Sequence, residues 1–126
     1  MARRKILVVD DDKDILNLVE KRLSVDGFEV MKTSNGREVL SHVEEFRPEV
    51  ILMDIMMEDM DGADIVRQLQ ADRKASAIPV IFLSGIVVAD NETGAGPTVK
   101  VGDQRYPALP KPFSGDDLLK AIRKVL

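Results

Sequence analysis

Charged residues stand where the apolar runs of this chain end. Asp10–Asp12 follow the run KILVV, Asp54 follows the run EVILM, and Lys111 lies within ALPKPF. An aspartate that closes a buried strand is costly unless it has a partner or a task. If the apolar runs are parallel strands of one sheet, their carboxyl ends share one edge, and open α/β sheets bind ligands at that edge. The pattern therefore predicts a site with carboxylates at its floor and one lysine as its cation.

Apolar runs alternate along the chain with segments whose apolar residues recur at helical spacing. Short acceptor side chains precede several of these segments, as helix N-caps do. Buried strands separated by helices with one apolar face indicate a parallel sheet covered on both sides, with right-handed crossovers. The predicted strands are Lys5–Asp10, Phe28–Thr33, Glu49–Asp54 and Ile78–Ser84. The predicted helices begin near Asp12 or Asp14, Asn35, Gly62 and Ser114, and Asn35 with Glu38 three residues later resembles a capping box.

The segment Gly85–Ala108 differs from the rest of the chain. It contains four of the eight glycines and two prolines, and it has no helical apolar stripe. Thr98–Val101 and Gln104–Tyr106 flank Gly102-Asp103, which indicates a small β-hairpin. A flexible linker is the alternative. In either case we expect no regular helix here.

Length and charge restrict the class of protein. A chain of 126 residues fits one compact domain, here residues 1–126. The net charge is −4, with 18 basic and 22 acidic residues intermixed, so no basic face indicates direct binding to nucleic acid or a membrane. The chain has no cysteine, and MARRK runs straight into a strand without an apolar signal segment. We expect a cytoplasmic protein.

Four motifs occur in order at the predicted strand ends: KILVVDDD, VILMDIMMEDMDG, IFLSG and KPF. Together they resemble the receiver domain of two-component response regulators, over nearly the whole chain. The resemblance implies a flavodoxin-like α/β fold with a five-stranded, doubly wound parallel sheet of order 2-1-3-4-5. In this chain a loop or hairpin would replace the fourth helix. The resemblance also implies a phosphoacceptor switch rather than an enzyme, whose only reactions would be its own phosphorylation and autodephosphorylation. The apolar residues Met56 and Ile86, two positions after Asp54 and Ser84, predict that this dephosphorylation is slow.

The resemblance assigns a metal site to the acidic residues. Asp10 and Asp11 match the acidic pair, and Asp54 matches the phosphoacceptor. Carboxylates about 5 Å apart repel by roughly 3 kcal/mol per pair at an effective dielectric constant of 20. A hard divalent cation, Mg²⁺ or Mn²⁺, would relieve this repulsion. Asp11, Asp54 and the backbone carbonyl of Met56 would hold the ion.

The resemblance implies that residues at the ends of the fourth and fifth strands would bind the phosphoryl group. Ser84 matches the hydroxyl residue at the end of strand four, and the Gly85 amide follows it. Lys111 matches the lysine that precedes a proline, and the resemblance implies a cis Lys111–Pro112 bond. These groups can donate hydrogen bonds to phosphoryl oxygens on Asp54. A histidine kinase or a phosphotransfer protein would donate the phosphoryl group. The phosphorylated form of this chain would then modulate a downstream protein.

Besides the segment that would replace the fourth helix, the chain departs from the family pattern at two places. Glu58 stands where a proline is usual, which could loosen the loop after Asp54. Ala108 stands where many receivers have the Tyr or Phe that moves on activation. A second function therefore stays open: a phosphorylation-independent interaction module with a receiver fold. The intact acidic pair, Asp54, Ser84 and Lys111 favour the phosphorylated switch.

Overall fold

The structure is a computed structural model that describes residues 3–84, 89–90 and 96–126. Strands and helices alternate up to the fourth strand, and three further strands precede the last helix. The elements are β1 (Lys5–Val9), α1 (Lys13–Val25), β2 (Glu29–Thr33), α2 (Val39–Phe46), β3 (Val50–Asp54), α3 (Gly62–Ala71), β4 (Val80–Ser84), β5 (Ala89–Asp90), β6 (Gly96–Val101), β7 (Gln104–Pro110) and α4 (Gly115–Val125), with 3₁₀ turns at Gly36–Glu38 and Ala75–Ala77.

The strands form one sheet of order β2-β1-β3-β4-β7-β6-β5. Strands β2, β1, β3, β4 and β7 are parallel, which confirms the predicted order 2-1-3-4-5 with β7 as the fifth parallel strand. Beyond these five parallel strands, β6 and β5 extend the sheet as antiparallel strands next to β7. Their addition follows from the hairpin, which folds β6 back along the outer edge of β7.

The predicted hairpin is confirmed around Gly102-Asp103. Val101 pairs with Gln104 on either side of this two-residue turn, and Gly102 has φ +63°. A glycine at the first central position suits a type II′ turn, whose twist matches that of the flanking strands. The described residues between β4 and α4 form strands and turns, with no helix, as the sequence predicts. The rest of that segment, residues 85–88 and 91–95, lies outside the described ranges.

Two apolar layers enclose the sheet. One face packs against α2, α3 and the hairpin, and its core includes Leu7, Ile51 and Phe82. The other face packs against α1 and α4, and its core includes Ile6 and Leu52. Consecutive residues within β1, and likewise within β3, thus point to opposite layers, as they do in a strand that is buried on both faces. The buried central strands fix the edge at which their carboxyl ends meet.

Capping side chains set the helix starts that the sequence indicates. The Asp12 carboxylate accepts a hydrogen bond from the Asp14 backbone N–H at 2.9 Å and begins α1. Ser114 and Asp117 form a reciprocal capping box at the start of α4. Among the described residues, no helix combines the length and the hydropathy needed to cross a bilayer.

The start of α2 differs from the prediction. The Asn35 side chain accepts a hydrogen bond from the Arg37 backbone N–H at 3.0 Å and begins a 3₁₀ turn rather than α2 itself. The side chain of Glu38 does not close a capping box on Asn35. A Cβ atom on Gly36 would lie 2.7 Å from Ile65 Cδ1, so glycine lets this turn pack directly against α3.

Candidate functional site

The predicted charged residues meet at one edge of the sheet. Asp10 directly follows β1, Asp54 ends β3, Ser84 ends β4 and Lys111 directly follows β7. Asp10 is fully buried, and Asp54 and Ser84 are each 7% exposed. The parallel pairing of these strands is what brings residues so distant in sequence together. The structure therefore gathers the carboxylates, the hydroxyl residue and the lysine as the sequence predicts.

Lys111 contacts two of the carboxylates. Its Nζ donates a hydrogen bond to Asp10 Oδ2 at 2.8 Å and lies 3.5 Å from Asp54 Oδ1. Burial acts to lower the pKa of the Lys111 amine, but the hydrogen bond and charge of Asp10, together with Asp54, outweigh it and raise this pKa. The amine is therefore charged at neutral pH. Its positive charge offsets part of the negative charge of Asp10 and Asp54.

Asp10 is satisfied on both oxygens. Oδ2 accepts from Lys111, and Oδ1 accepts from the Asp12 backbone N–H at 2.9 Å. A buried carboxylate is tolerated when it is paired and hydrogen-bonded in this way. Because these contacts occupy one lone pair on each oxygen, Asp10 is less available for direct metal binding than its exposed neighbour Asp11.

The acidic residues form a cluster with more negative than positive charge. One carboxylate oxygen from each of Asp10, Asp11 and Asp54 lies within 4.8 Å of the others. The pKa of Asp54 is raised from 3.8 to about 6, chiefly by burial and then by the charges of Asp10 and Asp11, against the attraction of Lys111. Three carboxylates and one amine leave an excess of two negative charges. This set of hard oxygen donors fits a divalent cation such as Mg²⁺.

The loop after Asp54 closes against the start of α3. The Gly62 N–H donates a hydrogen bond to the Ile55 carbonyl at 2.7 Å. A Cβ atom on Gly62 would clash with the Asp54 carbonyl oxygen and lie 3.1 Å from Ile55 Cα. Only glycine therefore permits this approach of α3 to the strand end. The sequence predicts a helix that begins near Gly62, but the close approach of this glycine to the strand end does not follow from the sequence pattern alone.

The remaining predicted site residues have separate outcomes. The Lys111–Pro112 peptide bond is cis, as the resemblance implies, and the Lys111 N–H donates to the Ser84 carbonyl at 2.7 Å. The Met56 side chain is 67% exposed in the loop two residues after Asp54. The Gly85 amide, predicted to bind the phosphoryl group, lies outside the described residues.

Comparison with known proteins gives the family. The response regulator receiver domain family matches residues 6–123, so the chain belongs to this family. Receiver domains are switches of two-component signalling and in general are not enzymes. The chain is 36% identical to the probable transcriptional regulator ycf27 of Porphyridium aerugineum over 127 residues, which cover 100% of this chain and 49% of that relative. It therefore spans about half the length of the ycf27 relatives that it matches.

Other relatives match over nearly their full length. Protein PilH of Pseudomonas aeruginosa is 36% identical over 126 residues, which cover 100% of this chain and 98% of that protein. The structure of the chemotaxis response regulator CheY4 of Vibrio cholerae matches with a TM-score of 0.82 and 29% identity, over 99% of this chain and 100% of that one. These similarities confirm the predicted receiver fold.

Proposed function

We propose that this receiver domain is a phosphoacceptor switch in which Asp54 receives a phosphoryl group from a histidine kinase or a phosphotransfer protein. The observation that carries the proposal is the position of the Lys111 amine, 3.5 Å from Asp54 Oδ1 within the acidic cluster. A buried carboxylate beside one fixed cation is suited to become a phosphorylated group whose new charge is matched.

The transfer uses groups of this chain in defined roles. A carboxylate oxygen of Asp54 attacks phosphorus, the P–N bond of the donor phosphohistidine breaks, and its electron pair returns to the imidazole nitrogen. Lys111 binds a phosphoryl oxygen and offsets its charge. The Ser84 hydroxyl and the Gly85 amide donate to the other oxygens. The pKa of Asp54, about 6, leaves its carboxylate mostly ionised and nucleophilic at neutral pH.

We assign the metal site to Asp11, Asp54 and the backbone carbonyl of Met56, with Asp10 completing the acidic surroundings. When bound, Mg²⁺ or Mn²⁺ would neutralise charge on the phosphoryl oxygens. The convergence of three carboxylates with one lysine supports this assignment. Magnesium suits the site because it binds a few carboxylates plus phosphate and keeps several waters.

The partners we propose are proteins. The phosphoryl donor approaches the edge of the sheet that carries Asp54, and the phosphorylated form modulates a downstream protein in the cytoplasm. The balance of charge, −4 overall, gives no reason to propose direct binding to nucleic acid or to a membrane.

Phosphorylation by small donors tests the proposal. The chain is incubated with acetyl phosphate or phosphoramidate and Mg²⁺, and its intact mass is measured with and without EDTA. We expect one adduct that needs the metal, is stable in acid and is labile in base, as an acyl phosphate is.

The matched variants are Asp54→Asn, which should lose the adduct, and Asp103→Asn in the exposed hairpin turn, which should keep it. An adduct of full yield on Asp54→Asn would overturn the assignment of the phosphoacceptor. A wild-type chain that forms no adduct with either donor would overturn the switch and favour the phosphorylation-independent module.

A further inference from the structure

The loop after Asp54 has no proline at the position where the family usually has one, but its residue Asp59 forms a hydrogen bond to a neighbouring turn. Glu58 occupies the proline position, and Asp59 is the next residue. Asp59 Oδ2 accepts a hydrogen bond from the Arg37 backbone N–H at 3.2 Å. This bond joins the loop to the 3₁₀ turn that follows β2, a segment 22 residues away in sequence. The metal-site loop is thus tied to a neighbouring turn rather than stiffened by proline.

Apolar contacts accompany this hydrogen bond. Met57 is 8% exposed although it lies in the loop. A Cβ atom on Gly36 would lie 3.3 Å from Met57 Cε and 3.4 Å from Met60 Cβ, so the 3₁₀ turn and the loop are in close contact. Glycine at position 36 leaves room for this packing. The turn therefore supports the loop through one polar and several apolar contacts.

The supports lie on both sides of the proposed metal ligand. Met56 follows Ile55, whose carbonyl accepts from Gly62, and precedes the segment that Asp59 holds. Arg37 N–H also donates to the local cap, Asn35 Oδ1, at 3.0 Å. The backbone N–H is therefore satisfied without Asp59. The bond to Asp59 is therefore an additional contact, which joins the 3₁₀ turn to the loop.

We propose that Asp59 is a positioning residue that holds the loop so that the Met56 carbonyl faces the acidic cluster. This inference rests on the proposed function, because it assumes that the cluster binds a divalent cation. Asp59 acts through the Arg37 backbone and does not itself belong to the group of converging carboxylates. Without the acceptor oxygen of Asp59, metal binding would also have to order the loop, and the affinity for the metal would be weaker.

Two substitutions separate the hydrogen bond from the charge. Asp59→Asn and Asp59→Ala both remove one negative charge, but only asparagine keeps an oxygen that accepts from Arg37. We expect the Mg²⁺ dissociation constant of Asp59→Ala, measured by calorimetry, to exceed that of Asp59→Asn by about three- to tenfold. Glu58→Ala is the control, since Glu58 has no hydrogen bond or ion pair among the described residues. It should match Asp59→Asn.

A metal-free measurement checks the same contact. Amide hydrogen exchange at Arg37 should remain near the wild-type rate in all three variants, because Asn35 still accepts this hydrogen bond. Exchange at the loop amides of Met56 and Met57 should quicken in Asp59→Ala alone. Equal Mg²⁺ affinities of the alanine and asparagine variants, with a wild type that binds Mg²⁺ and is phosphorylated, would overturn the inference only. A wild type that neither binds Mg²⁺ nor is phosphorylated would overturn the proposed function and this inference with it.

Discussion

Replacing Asp54 with asparagine should raise the free energy of unfolding of the metal-free protein at neutral pH. The side chain of Asp54 is 11% exposed, and its pKa rises from 3.8 to about 6 on burial beside Asp10 and Asp11. A rise in pKa of that size means that ionised Asp54 lowers the free energy of unfolding by about 3 kcal/mol relative to the protonated form. Asparagine has nearly the same shape and carries no charge. The proposed phosphoacceptor thus destabilises the metal-free fold that contains it.

The expected gain is about 1–3 kcal/mol above pH 7. The upper value assumes that asparagine behaves like a protonated aspartate. The lower value allows for an asparagine that fits the site less well than a protonated aspartate; the attraction of Lys111, whose Nζ lies 3.5 Å from Asp54 Oδ1, is already included in the raised pKa. A difference of 2 kcal/mol corresponds to a shift in thermal midpoint of about 6–10 °C for a domain near this size.

The pH dependence follows from the direction of the shift. Because the folded-state pKa of Asp54 is raised, the native protein binds more protons than the unfolded chain between about pH 3.8 and pH 6. The wild type therefore loses stability through Asp54 as the pH rises through this window. Asparagine does not titrate. The advantage of Asp54→Asn should be near zero below about pH 4, grow between pH 4 and pH 6, and then level off.

Urea unfolding followed by far-ultraviolet circular dichroism measures this difference. The chain has no tryptophan, so the backbone signal is the better probe. Samples contain EDTA and span about pH 4 to pH 8. Glu45→Gln on the exposed face of α2 removes one charge elsewhere and should show no such pH-dependent gain. An Asp54→Asn protein that is no more stable than wild type at pH 7.5, or a gain that does not vary with pH, would refute the electrostatic reasoning.

Three further predictions concern the metal, the loop and the hairpin. Millimolar Mg²⁺ should raise the thermal midpoint of the wild type; Asp11→Ala should abolish this rise and Asp12→Ala should keep it, and equal responses would contradict the metal assignment. Gly62→Ala should destabilise the fold by about 2 kcal/mol or more in urea, because its Cβ meets the backbone of the strand end; a neutral result would mean that the loop yields easily. Tyr106→Phe should cost about 1 kcal/mol, because its hydroxyl accepts from Gln70 Nε2 at 2.7 Å; unchanged stability would show that this bond contributes nothing net.

Sequence patterns predicted the parallel part of the sheet because its strands and helices bury apolar residues with distinct periods. The helix starts at Asp12 and Ser114 were predictable from local capping chemistry. The hairpin of β6 and β7 was one of two predicted alternatives, but the short strand β5 and the joining of the hairpin to the parallel sheet were not predicted. β7 pairs with β4 over Ala108–Pro110 and with β6 over its earlier residues, and a one-dimensional pattern does not show that one strand has both partners.

The convergence of the site was predictable for a related reason. Once the runs before Asp10 and Asp54 are parallel strands, their ends must share an edge. The contact between Asp59 and Arg37 was not predictable, since it depends on how two irregular segments lie against each other. The same holds for the raised pKa of Asp54, which depends on burial and on distances to charges from other strands.

Strand β7 connects the hairpin turn directly to the site lysine, Lys111, and this arrangement limits how a change at the site can reach the surface. Ala108 occupies the position where many receivers have a Tyr or Phe that moves on activation. Tyr106 lies two residues earlier in β7, so its ring is on the same face of the strand as Ala108. The Tyr106 ring packs edge-on against the Phe82 ring, with the two ring centroids 5.8 Å apart, and its hydroxyl also donates a hydrogen bond to Gln104 Oε1 at 3.0 Å. A ring held in this way cannot turn without losing those contacts.

We therefore expect phosphorylation to reach the hairpin through displacement of the β7 backbone, which runs directly into Lys111. The antiparallel pairing of Val99 with Tyr106 would pass that displacement to β6. Backbone amide shifts of β6 in NMR spectra should change on phosphorylation while the Tyr106 side chain keeps its rotamer. A Tyr106 ring that changes rotamer while the β6 amides stay unshifted would contradict this expectation, because the side chain would then be the moving part.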